Sequence, residues 1–527
     1  MAAARVIGVV GAGTMGSGIA QLGALAGART LVHDPAEKAL ERGLEVARGH
    51  LARGAERGRW SAEDAERGAG LLEAAPALED LRECELVIEA APESLELKLE
   101  LLGRLGEIVA EDCVLATNTS SLLVTAVAAG ARHPERVVGM HFFNPAPLMR
   151  LLELVAGEES GETALARARA TGEAMGKEVI LAADGPGFLV NRCNRPFGLE
   201  ALRLLQEGIA PPERIDRIVR MGGGFRMGPF ELMDLVGVDV GLEIARSFWE
   251  QSFGEPRWRP SPVTARMVAA GRTGRKAGRG YYEYGDGAHR ENDPAPPQAG
   301  GGGGRLLVVA GEAVLAAELR ELAAAAGWDA RQPVDTDGEV PAFVLDCGAD
   351  PEGVPLQGGP RAVLCAGGSL AALDPGGSAV GFHALPPLAQ SDLIELTRGP
   401  ESSGAALTGA VELFATLGKH VEWVGDAPGL ALGRIVAQVV NEAAFAVADG
   451  VGSAEDVDTG MRLGLNYPRG PLAWAEQIGL DHVLSILDGL AGEYGEERYR
   501  AAPLLRRLVL RQRLGARSGE GFLTVEP

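Results

Sequence analysis

Three glycines near the start of the chain have the spacing that a phosphate-binding turn requires. Gly11, Gly13 and Gly16 follow an apolar run and lead into an apolar-periodic segment, which predicts a strand, a tight turn and a helix start. Gly11 permits the turn, Gly13 lets the backbone approach a pyrophosphate, and Gly16 lets the helix pack closely on the strand. The helix amino terminus would offer its N–H groups and its positive dipole end to the phosphates.

An acidic residue closes the next predicted strand, residues 29–34. Asp34 lies where a carboxylate would accept both ribose hydroxyls of NAD and repel the 2′-phosphate of NADP. The glycine spacing alone is a weak signal in a chain with 74 glycines, but strand, turn, helix and acid follow in order here. NAD is therefore the predicted cofactor, and the alternative is a structural turn capped by Asp34.

Two further ionisable residues, His141 and Glu153, stand in apolar segments. Neutral imidazole takes up a proton near neutral pH, so His141 is a candidate base for removing the hydroxyl proton of an alcohol. A carboxyl group inside an apolar strand is costly unless it is paired, which sets Glu153 apart. Considered alone, His141 is more often a hydrogen-bonded histidine at a strand end than a base.

These residues require a sheet that brings strand ends together. Strands are predicted at residues 5–10, 30–34, 86–90, 114–118 and 137–141, with charged amphipathic helices between most of them. This alternation predicts an α/β fold with a Rossmann-like, doubly wound parallel sheet. From Pro186 onward the pattern becomes all-helical, with helices predicted at residues 191–207, 212–221 and 240–252.

The chain then repeats itself beyond a proline- and glycine-rich segment, residues 285–304, which is predicted to be a flexible linker. Gly176-Lys177 recurs as Gly418-Lys419, and residues 184–192 recur as residues 426–434, at a constant offset. A constant offset over many residues indicates an internal duplication.

The second copy keeps only part of the pattern. His141 and Glu153 correspond to His383 and Glu395, but the second and third glycines of the turn are replaced by Ala313 and Ala316. Asn191 corresponds to Gly433. The second half is therefore predicted to be a retained scaffold with a degenerate pocket, which leaves one active site per chain.

Six motifs, in order along the chain, resemble those of the L-3-hydroxyacyl-CoA dehydrogenases. They are TNTSSL at 117–122, VVGMHFFNP at 137–145, LLELV at 151–155, DGPGFLVNR at 184–192, GPFELMD at 228–234 and GRKAGRGY at 274–281. The resemblance covers residues 5–285 and, weakly, 305–525. It implies NAD-dependent oxidation of an (S)-3-hydroxyacyl-CoA to a 3-oxoacyl-CoA.

The resemblance also implies roles for individual residues. Glu153 matches the acidic partner of the catalytic histidine, His141, and Ser120 and Asn191 match polar contacts to the substrate. Ser120 and Asn191 could alternatively cap helices, and Ser121 is predicted to be structural.

Further contacts to NAD are implied in the same way. By their positions in the motifs, the predicted cofactor-binding residues are Gly11, Gly13, Thr14, Met15, Gly16, Asp34, Glu93, Lys98, Asn118, Ser120, Asn144 and Lys276. A place on a solvated helix face is the alternative for Lys98.

A basic segment follows the second strand. The family places a basic helical surface over the CoA phosphates, and Arg53, Arg57 and Arg59 supply such a surface here. The segment before them is shorter than usual in the family, and a solvated helix face is the alternative.

The sequence thus predicts five segments. They are an NAD-binding Rossmann domain (1–184), a helical domain (185–284), the linker (285–304), a degenerate Rossmann-like domain (305–425) and a second helical domain (426–527). The helical domains resemble a dimerisation module, so either a homodimer or a monomer with an intrachain pseudo-dimer is expected.

Substrate and class stay open at this point. 3-Hydroxyadipyl-CoA, as in bacterial phenylacetate degradation, and 3-hydroxybutyryl-CoA are both candidate substrates. A β-hydroxyacid dehydrogenase would use a lysine of its second domain in place of His141, and a non-catalytic NAD- or CoA-binding protein is the alternative from another class.

The overall composition limits which classes of partner and site are expected. A formal net charge of −22 over 527 residues argues against nucleic acids and anionic membranes as partners, because phosphates would be repelled. The five cysteines are scattered without a CxxC pair, which predicts reduced thiols in a cytoplasmic protein and no metal site.

Overall fold

Each half of the chain builds its own sheet. The computed structural model describes residues 1–336, 338–348 and 358–524. The strands of the first sheet are β1 (Val6–Val10), β2 (Arg29–His33), β3 (Leu72–Ala74), β4 (Leu86–Glu89), β5 (Val114–Thr117), β6 (Val137–Phe142), β7 (Leu151–Ala156) and β8 (Glu178–Ala183). Those of the second sheet are β9 (Leu306–Ala310), β10 (Asp329–Arg331), β11 (Phe343–Asp346), β12 (Arg361–Leu364), β13 (Val380–His383), β14 (Leu393–Arg398) and β15 (His420–Trp423).

The two sheets have the same design. Their strand orders are β3-β2-β1-β4-β5-β6-β7-β8 and β10-β9-β11-β12-β13-β14-β15, which correspond strand by strand apart from the short β3. The duplication and the doubly wound α/β fold predicted from the sequence are therefore confirmed. One detail differs from the prediction of a parallel sheet: β6 and β7 pair antiparallel.

Helices connect and cover these strands. In the first half they are α1 (Thr14–Leu25), α2 (Glu37–Glu56), α3 (Ala62–Gly70), α4 (Leu95–Ile108), α5 (Val124–Ala128), α6 (Glu162–Ala174), α7 (Val190–Gln206), α8 (Pro212–Gly223), α9 (Pro229–Val236), α10 (Val238–Gln251) and α11 (Pro262–Ala269). In the second half they are α12 (Val314–Ala325), α13 (Leu370–Leu373), α14 (Gly404–Thr416), α15 (Leu432–Ala448), α16 (Ala454–Leu465), α17 (Pro471–Ile478), α18 (Leu480–Tyr494) and α19 (Pro503–Leu510).

Both faces of the first sheet are buried. Side chains along each strand point alternately to the two faces, and helices cover each face. Ile7 and Val9 of β1 belong to one hydrophobic cluster together with residues of α1 and α2. Val10 belongs to a second cluster together with residues of α4. A parallel sheet needs such cover on both faces, and it leaves the carboxyl ends of the strands as the place for a ligand.

By its internal contacts the chain divides into two compact units. Unit 1 contains Met1–Arg192 and Asp449–Leu465, and unit 2 contains Cys193–Ala448 and the chain from Asn466 onward. Within unit 1, helix α16 of the second half packs on β7 and β8 of the first sheet. Each unit therefore combines parts of both halves of the chain. The five segments named from the sequence remain predicted domains.

The segment predicted to be a flexible linker makes contacts within unit 2. Residues 285–304 contain no helix or strand, as expected, but the segment is tied to the rest of unit 2. Asp293 accepts hydrogen bonds of 2.6 and 2.8 Å from Arg220, and the N–H of Gly300 donates to the carbonyl oxygen of Thr416 at 2.8 Å. The composition favoured a loose tether, but its few charged residues find partners and hold it in place.

The described residues hold neither a membrane-spanning helix nor a cluster of metal-ligating side chains. No described helix combines the length and apolarity that a bilayer crossing needs. In the same part of the chain, histidine, cysteine and acidic side chains form no group of three that could hold a metal ion.

Candidate active site

The turn after β1 has the geometry that a bound dinucleotide requires. Gly11 has a φ of +99°, and a Cβ there would lie 2.6 Å from the carbonyl oxygen of Ala90. A Cβ on Gly16 would overlap the carbonyl oxygen of Gly11, so only glycine lets α1 begin this close to the turn. A Cβ on Gly13 would meet nothing within 4 Å, which leaves the backbone open on that side.

The start of α1 and the end of β2 complete this arrangement. No side chain caps α1 at Gly13, so the first-turn N–H groups, including those of Thr14 and Met15, remain available to phosphates. Asp34 accepts hydrogen bonds from the N–H groups of Ala12 (3.0 Å) and Ala36 (2.9 Å), which fix its carboxylate beside the turn. These residues fit NAD, because a carboxylate has further acceptor positions for ribose hydroxyls.

His141 and Glu153 form a buried pair. They are register partners across the antiparallel strands β6 and β7, so both side chains project from the same face of the sheet. His141 Nδ1 lies 2.8 Å from Glu153 Oε2, and the exposed fractions of the two side chains are 8% and 0%. The rings of Phe143 and Phe188 pack against the imidazole, with centroids 4.5 and 5.8 Å away.

The second oxygen of Glu153 is also held. Oε1 accepts the N–H groups of Leu189 (2.8 Å) and Val190 (3.0 Å) at the start of α7. Three donors thus compensate a carboxylate that is removed from water. The cost of burying an acid in an apolar strand, noted from the sequence, is met by these partners.

Asn118 positions the strand that carries His141. Its Oδ1 accepts the N–H of Phe142 at 3.0 Å, and its own N–H donates to the carbonyl oxygen of Glu89 at 2.7 Å. Asn118, which is predicted to contact NAD, therefore links β5 to β6 through its side chain and to the end of β4 through its backbone N–H.

Glu93 organises the loop that carries Ser120. Glu93 Oε1 accepts from the hydroxyl groups of Thr119 (2.6 Å) and Ser121 (2.8 Å) and from the N–H of Ser120 (3.2 Å). Burial raises the pKa of Glu93, but these hydrogen bonds and the charge of Lys98 outweigh it and lower the pKa overall.

Ser120 itself is exposed and is not a helix cap. The N-cap of α5 is Leu123, so the capping alternative for Ser120 is wrong. The loop thus presents the Ser120 hydroxyl to solvent, whereas Ser121 is held by Glu93, in agreement with its predicted structural role.

Lys98 lies in the core of unit 1. It is 0% exposed, and its Nζ donates to both oxygens of Glu89 at 2.8 and 2.9 Å. The surface alternative for Lys98 is therefore wrong. Glu93 Oε2 lies 3.6 Å from the same nitrogen.

Glu89 was missed by the sequence reasoning. It is fully buried at the end of β4 and also accepts from Thr117 Oγ1 at 2.7 Å. The signal was present, because Glu89 is an acid in an apolar strand, as is Glu153.

The three arginines of the basic segment line one pocket in unit 1. Its volume is about 360 Å³, and its lining includes Gln21, His50, Arg53, Arg57, Arg59, Trp60, Pro145 and Pro147. All three arginines are exposed, and none pairs with a carboxylate of the described residues. Burial and the nearby charge of Arg53 lower the pKa of His50.

The remaining predicted residues lie in separate places. Asn144 is exposed in the loop after β6. Asn191 is the second residue of α7 and is partly buried, so it lies inside the helix rather than at its cap. Lys276 belongs to unit 2, where its Nζ contacts Asp239 at 2.7 Å.

In the second half, the residues that correspond to His141 and Glu153 have other hydrogen-bond partners. His383 and Glu395 are register partners, but His383 Nε2 lies 3.2 Å from His482 Nε2. Glu395 accepts the N–H groups of Ala431 (2.7 Å) and Leu432 (3.1 Å). No described group hydrogen-bonds to His383 Nδ1.

The charge state of this second pair follows from its burial. Burial raises the pKa of Glu395 to about 8. Burial and the neighbouring His482 lower the pKa of His383 well below its usual range. A Cβ on Gly433 would overlap the His383 ring, so the ring occupies the space where Asn191 has a side chain in the first half. Both shifts favour the uncharged forms of the two groups.

Comparison with known proteins agrees with this geometry. The 3-hydroxyacyl-CoA dehydrogenase NAD-binding domain matches residues 6–185, and the C-terminal domain of the same family matches residues 187–284 and again 429–525.

Individual relatives span both halves or one. The 3-hydroxyadipyl-CoA dehydrogenase of Escherichia coli K12 is 35% identical over 514 residues, covering 96% of this chain and 98% of the relative. The 3-hydroxybutyryl-CoA dehydrogenase of Mycobacterium tuberculosis is 41% identical over 280 residues, 53% of this chain and 98% of its own length. A crystal structure titled 3-hydroxybutyryl-CoA dehydrogenase, also from E. coli K12, superposes with a TM-score of 0.81 at 34% identity over 96% of this chain and 98% of that one. The chain belongs to the 3-hydroxyacyl-CoA dehydrogenase family.

Proposed function

We propose that His141 is the general base with which this NAD-dependent 3-hydroxyacyl-CoA dehydrogenase oxidises (S)-3-hydroxyacyl-CoA to 3-oxoacyl-CoA. The observation that carries the proposal is the 2.8 Å contact between His141 Nδ1 and Glu153 Oε2 in a buried cross-strand pair. A proton on Nδ1 satisfies this contact and leaves the lone pair on Nε2 free to take the hydroxyl proton of the substrate.

Glu153 acts through His141. Its carboxylate fixes the orientation of the ring and stabilises the imidazolium that forms when the proton arrives. The two backbone donors at the start of α7 hold the carboxylate in place, so the dyad is rigid before substrate binds.

The cofactor-binding surface is formed by the turn after β1 and by Asp34. When bound, NAD supplies the acceptor for the hydride that leaves C3 of the substrate. The N–H groups of α1 would hold its pyrophosphate and Asp34 its adenosine ribose. Glu93, Lys98, Asn118, Asn144 and Lys276 stay predicted contacts.

Ser120 and Asn191 are the proposed polar contacts to the acyl group. A hydroxyl and an amide can hold the C3 oxygen and the thioester carbonyl, and they stabilise the ketone as it forms. The exposed side chain of Ser120 supports this role, because the loop is built by Glu93 and Thr119 without it.

The pocket of Arg53, Arg57 and Arg59 is the proposed site for the CoA phosphates. Unpaired guanidinium groups around one concave surface suit a phosphate-rich ligand, which a chain of net charge −22 otherwise repels.

Replacing Arg53 and Arg57 together by alanine should raise KM for the acyl-CoA about 10-fold with little change in kcat, because the lost contacts bind ground state and transition state alike. Steady-state kinetics of the double variant measures this. Arg42→Ala is the matched control, since Arg42 is exposed on the same helix and donates to the Lys38 carbonyl oxygen. An unchanged KM in the double variant would place CoA elsewhere.

The substrate is proposed to be 3-hydroxyadipyl-CoA or 3-hydroxybutyryl-CoA. The names of the relatives support both candidates, because the two relatives that span both halves carry one name each. The buried thiols of the five cysteines support a reducing, cytoplasmic site of action.

We also propose an intrachain pseudo-dimer of the two halves, which equivalent contacts support. The N–H of Ala183 donates to the carbonyl oxygen of Val451, and the N–H of Gly425 donates to that of Ile209, both at 2.8 Å. The ion pair Arg192–Asp449 (2.5 Å) has its counterpart in Arg434–Glu207 (2.6 Å). Each half thus gives the other the same contacts that it receives, as in a two-fold dimer.

The proposal is tested by NADH oxidation with purified protein and acetoacetyl-CoA or, separately, 3-oxoadipyl-CoA. Turnover with at least one substrate is expected, and the ratio of the two kcat/KM values ranks the candidates. An absence of turnover with both, in protein that binds NADH, would contradict the proposed function.

A further inference from the structure

A buried ion pair at the carboxyl end of β4 has no part in the proton transfer proposed for His141. Glu89 is the last residue of β4, Lys98 lies on α4, and both are fully buried. Lys98 Nζ donates to the two oxygens of Glu89 at 2.8 and 2.9 Å, and Thr117 Oγ1 donates to the same carboxylate at 2.7 Å. The negative charge of Glu89 therefore offsets the positive charge of Lys98 at close range.

This ion pair adjoins the turn that is proposed to hold the pyrophosphate. The N–H of Ala91 donates to Glu89 Oε1 at 2.7 Å, and a Cβ on Gly11 would lie 3.1 Å from the nitrogen of Ala91. In the strand order β2-β1-β4-β5, β4 and β5 lie on the side of the turn opposite to Asp34. A dinucleotide with its adenosine ribose at Asp34 therefore directs its nicotinamide half toward the ends of β4 and β5.

Glu93 adds a second acid at this strand end. Its side chain is 37% exposed, and its Oε2 lies 3.6 Å from Lys98 Nζ. Burial opposes ionisation of Glu93, but hydrogen bonds from Thr119 and Ser121 and the charge of Lys98 lower its pKa overall. Glu89, Lys98 and Glu93, the nicotinamide-end cluster, thus combine two negative charges with one positive charge.

The net charge of this cluster bears on which form of the cofactor binds. The oxidised nicotinamide ring is positively charged, and reduction to NADH removes that charge. A fixed negative charge in a partly buried site interacts differently with two ligands that differ by one unit of charge. The nicotinamide-end cluster therefore affects the relative affinity for the two forms as well as the position of the cofactor.

We propose that the nicotinamide-end cluster keeps one net negative charge at the cofactor site and thereby biases binding toward oxidised NAD and away from NADH. Glu89 is a positioning residue in this arrangement, because it acts through Lys98. The inference rests on the proposed function and adds a preference for one redox form. During oxidation of a 3-hydroxyacyl-CoA, NAD must bind and NADH must leave, so the bias favours release of the reduced product.

The test compares the dissociation constants of NAD and NADH, measured by calorimetric titration of the full chain. Glu89→Gln leaves the cluster with no net charge, so the ratio Kd(NAD)/Kd(NADH) should rise about 3- to 10-fold. Glu93→Gln removes the same charge directly and should raise the ratio by a similar factor. Glu85→Gln is the matched control, because Glu85 precedes the other end of β4 and pairs with Arg5, and it should leave the ratio unchanged.

A double variant separates charge from packing. Glu89→Gln combined with Lys98→Met replaces the ion pair by neutral side chains and restores one net negative charge. The ratio should then return to within about twofold of the wild-type value, as charge compensation requires. If Glu89 only supported the fold, the second substitution would remove further contacts and would not restore the ratio.

Each outcome decides between these possibilities. A double variant that keeps the ratio of Glu89→Gln, or an unchanged ratio in both Glu89→Gln and Glu93→Gln, overturns the inference. If Glu89→Gln does not fold, as judged by its melting temperature, Glu93→Gln decides, because this side chain is partly exposed. A wild-type protein that binds neither NAD nor NADH would instead contradict the proposed function.

Discussion

Replacing His141 by alanine should lower kcat about 100- to 10,000-fold, the usual contribution of a general base. No other described residue of the site can act as the base in place of His141 Nε2. Glu153 and the two phenylalanines contact the ring itself, so they do not reach the substrate hydroxyl. His383→Ala should leave kcat within about twofold of wild type, since that ring contacts His482 and its Nδ1 has no hydrogen-bond partner among the described groups.

The measurement is steady-state oxidation of a 3-hydroxyacyl-CoA by both variants, with NADH affinity and melting temperature as controls for folding. Glu153→Gln and Glu395→Gln extend the comparison to the acids. Losses of similar size in His141→Ala and His383→Ala would mean that the second half takes part in catalysis, and the proposal of one active site per chain would then be wrong.

Arg434→Met should lower the free energy of unfolding by about 3–5 kcal/mol, because it removes one cation from a buried ion-pair cluster and leaves the buried acids of that cluster with fewer partners. Arg434 is 0% exposed; its Nε contacts Glu200 at 2.5 Å, and its terminal nitrogens contact Glu207 and the hydroxyl of Tyr499. Glu200 is itself fully buried and would keep only Arg203 and the hydroxyl of Tyr499 as partners.

This loss should depend on pH. Burial raises the pKa of Glu200, but the charges of Arg434 and Arg203 outweigh it and hold the pKa at about 2, against 4.5 for an unperturbed glutamate. The stabilisation that Glu200 contributes is thus fully present above pH 4.5 and is lost as the pH falls toward 2. The difference between wild type and variant should therefore shrink in acid.

Urea unfolding at pH 7 and pH 3 checks both statements. Arg506→Met is the matched control: Arg506 pairs with Asp488 at 2.5 Å, but both side chains are 46% exposed, so its loss should cost less than about 1 kcal/mol. If Arg434→Met unfolds at the same urea concentration as the control, the buried cluster around Arg434 does not stabilise unit 2.

The features predicted well from the sequence are those set by local chemistry. The conformation of Gly11, the strand–turn–helix around it and the position of Asp34 all follow from residues close together in the chain. The duplication was readable because motifs such as Gly176-Lys177 recur in order, and Lys177 and Lys419 indeed make the same contacts, each donating to two carbonyl oxygens at 2.6 Å.

What the sequence did not reveal depends on contacts between distant residues. The antiparallel register that joins His141 to Glu153 is set by a strand reversal that no local pattern marks. The contact of Lys98 with Glu89 buries a lysine for which the sequence left a surface position open as the alternative. The anchoring of Asp293 by Arg220 required a partner 73 residues away, and nothing in the composition of the linker points to it.

Helix α16 has a consequence for how this chain can evolve. In unit 1, a Cβ on Gly460 would lie 2.7 Å from Val190 and one on Gly464 2.8 Å from Leu151, so the helix fits closely beside the strand that carries Glu153. Substitutions in the second half that change the shape of α16 would therefore disturb the packing of unit 1. A frameshift or stop codon after the linker would remove helix α16 from unit 1. The first half therefore depends on the second for part of its own packing, and the two must be kept together in one gene.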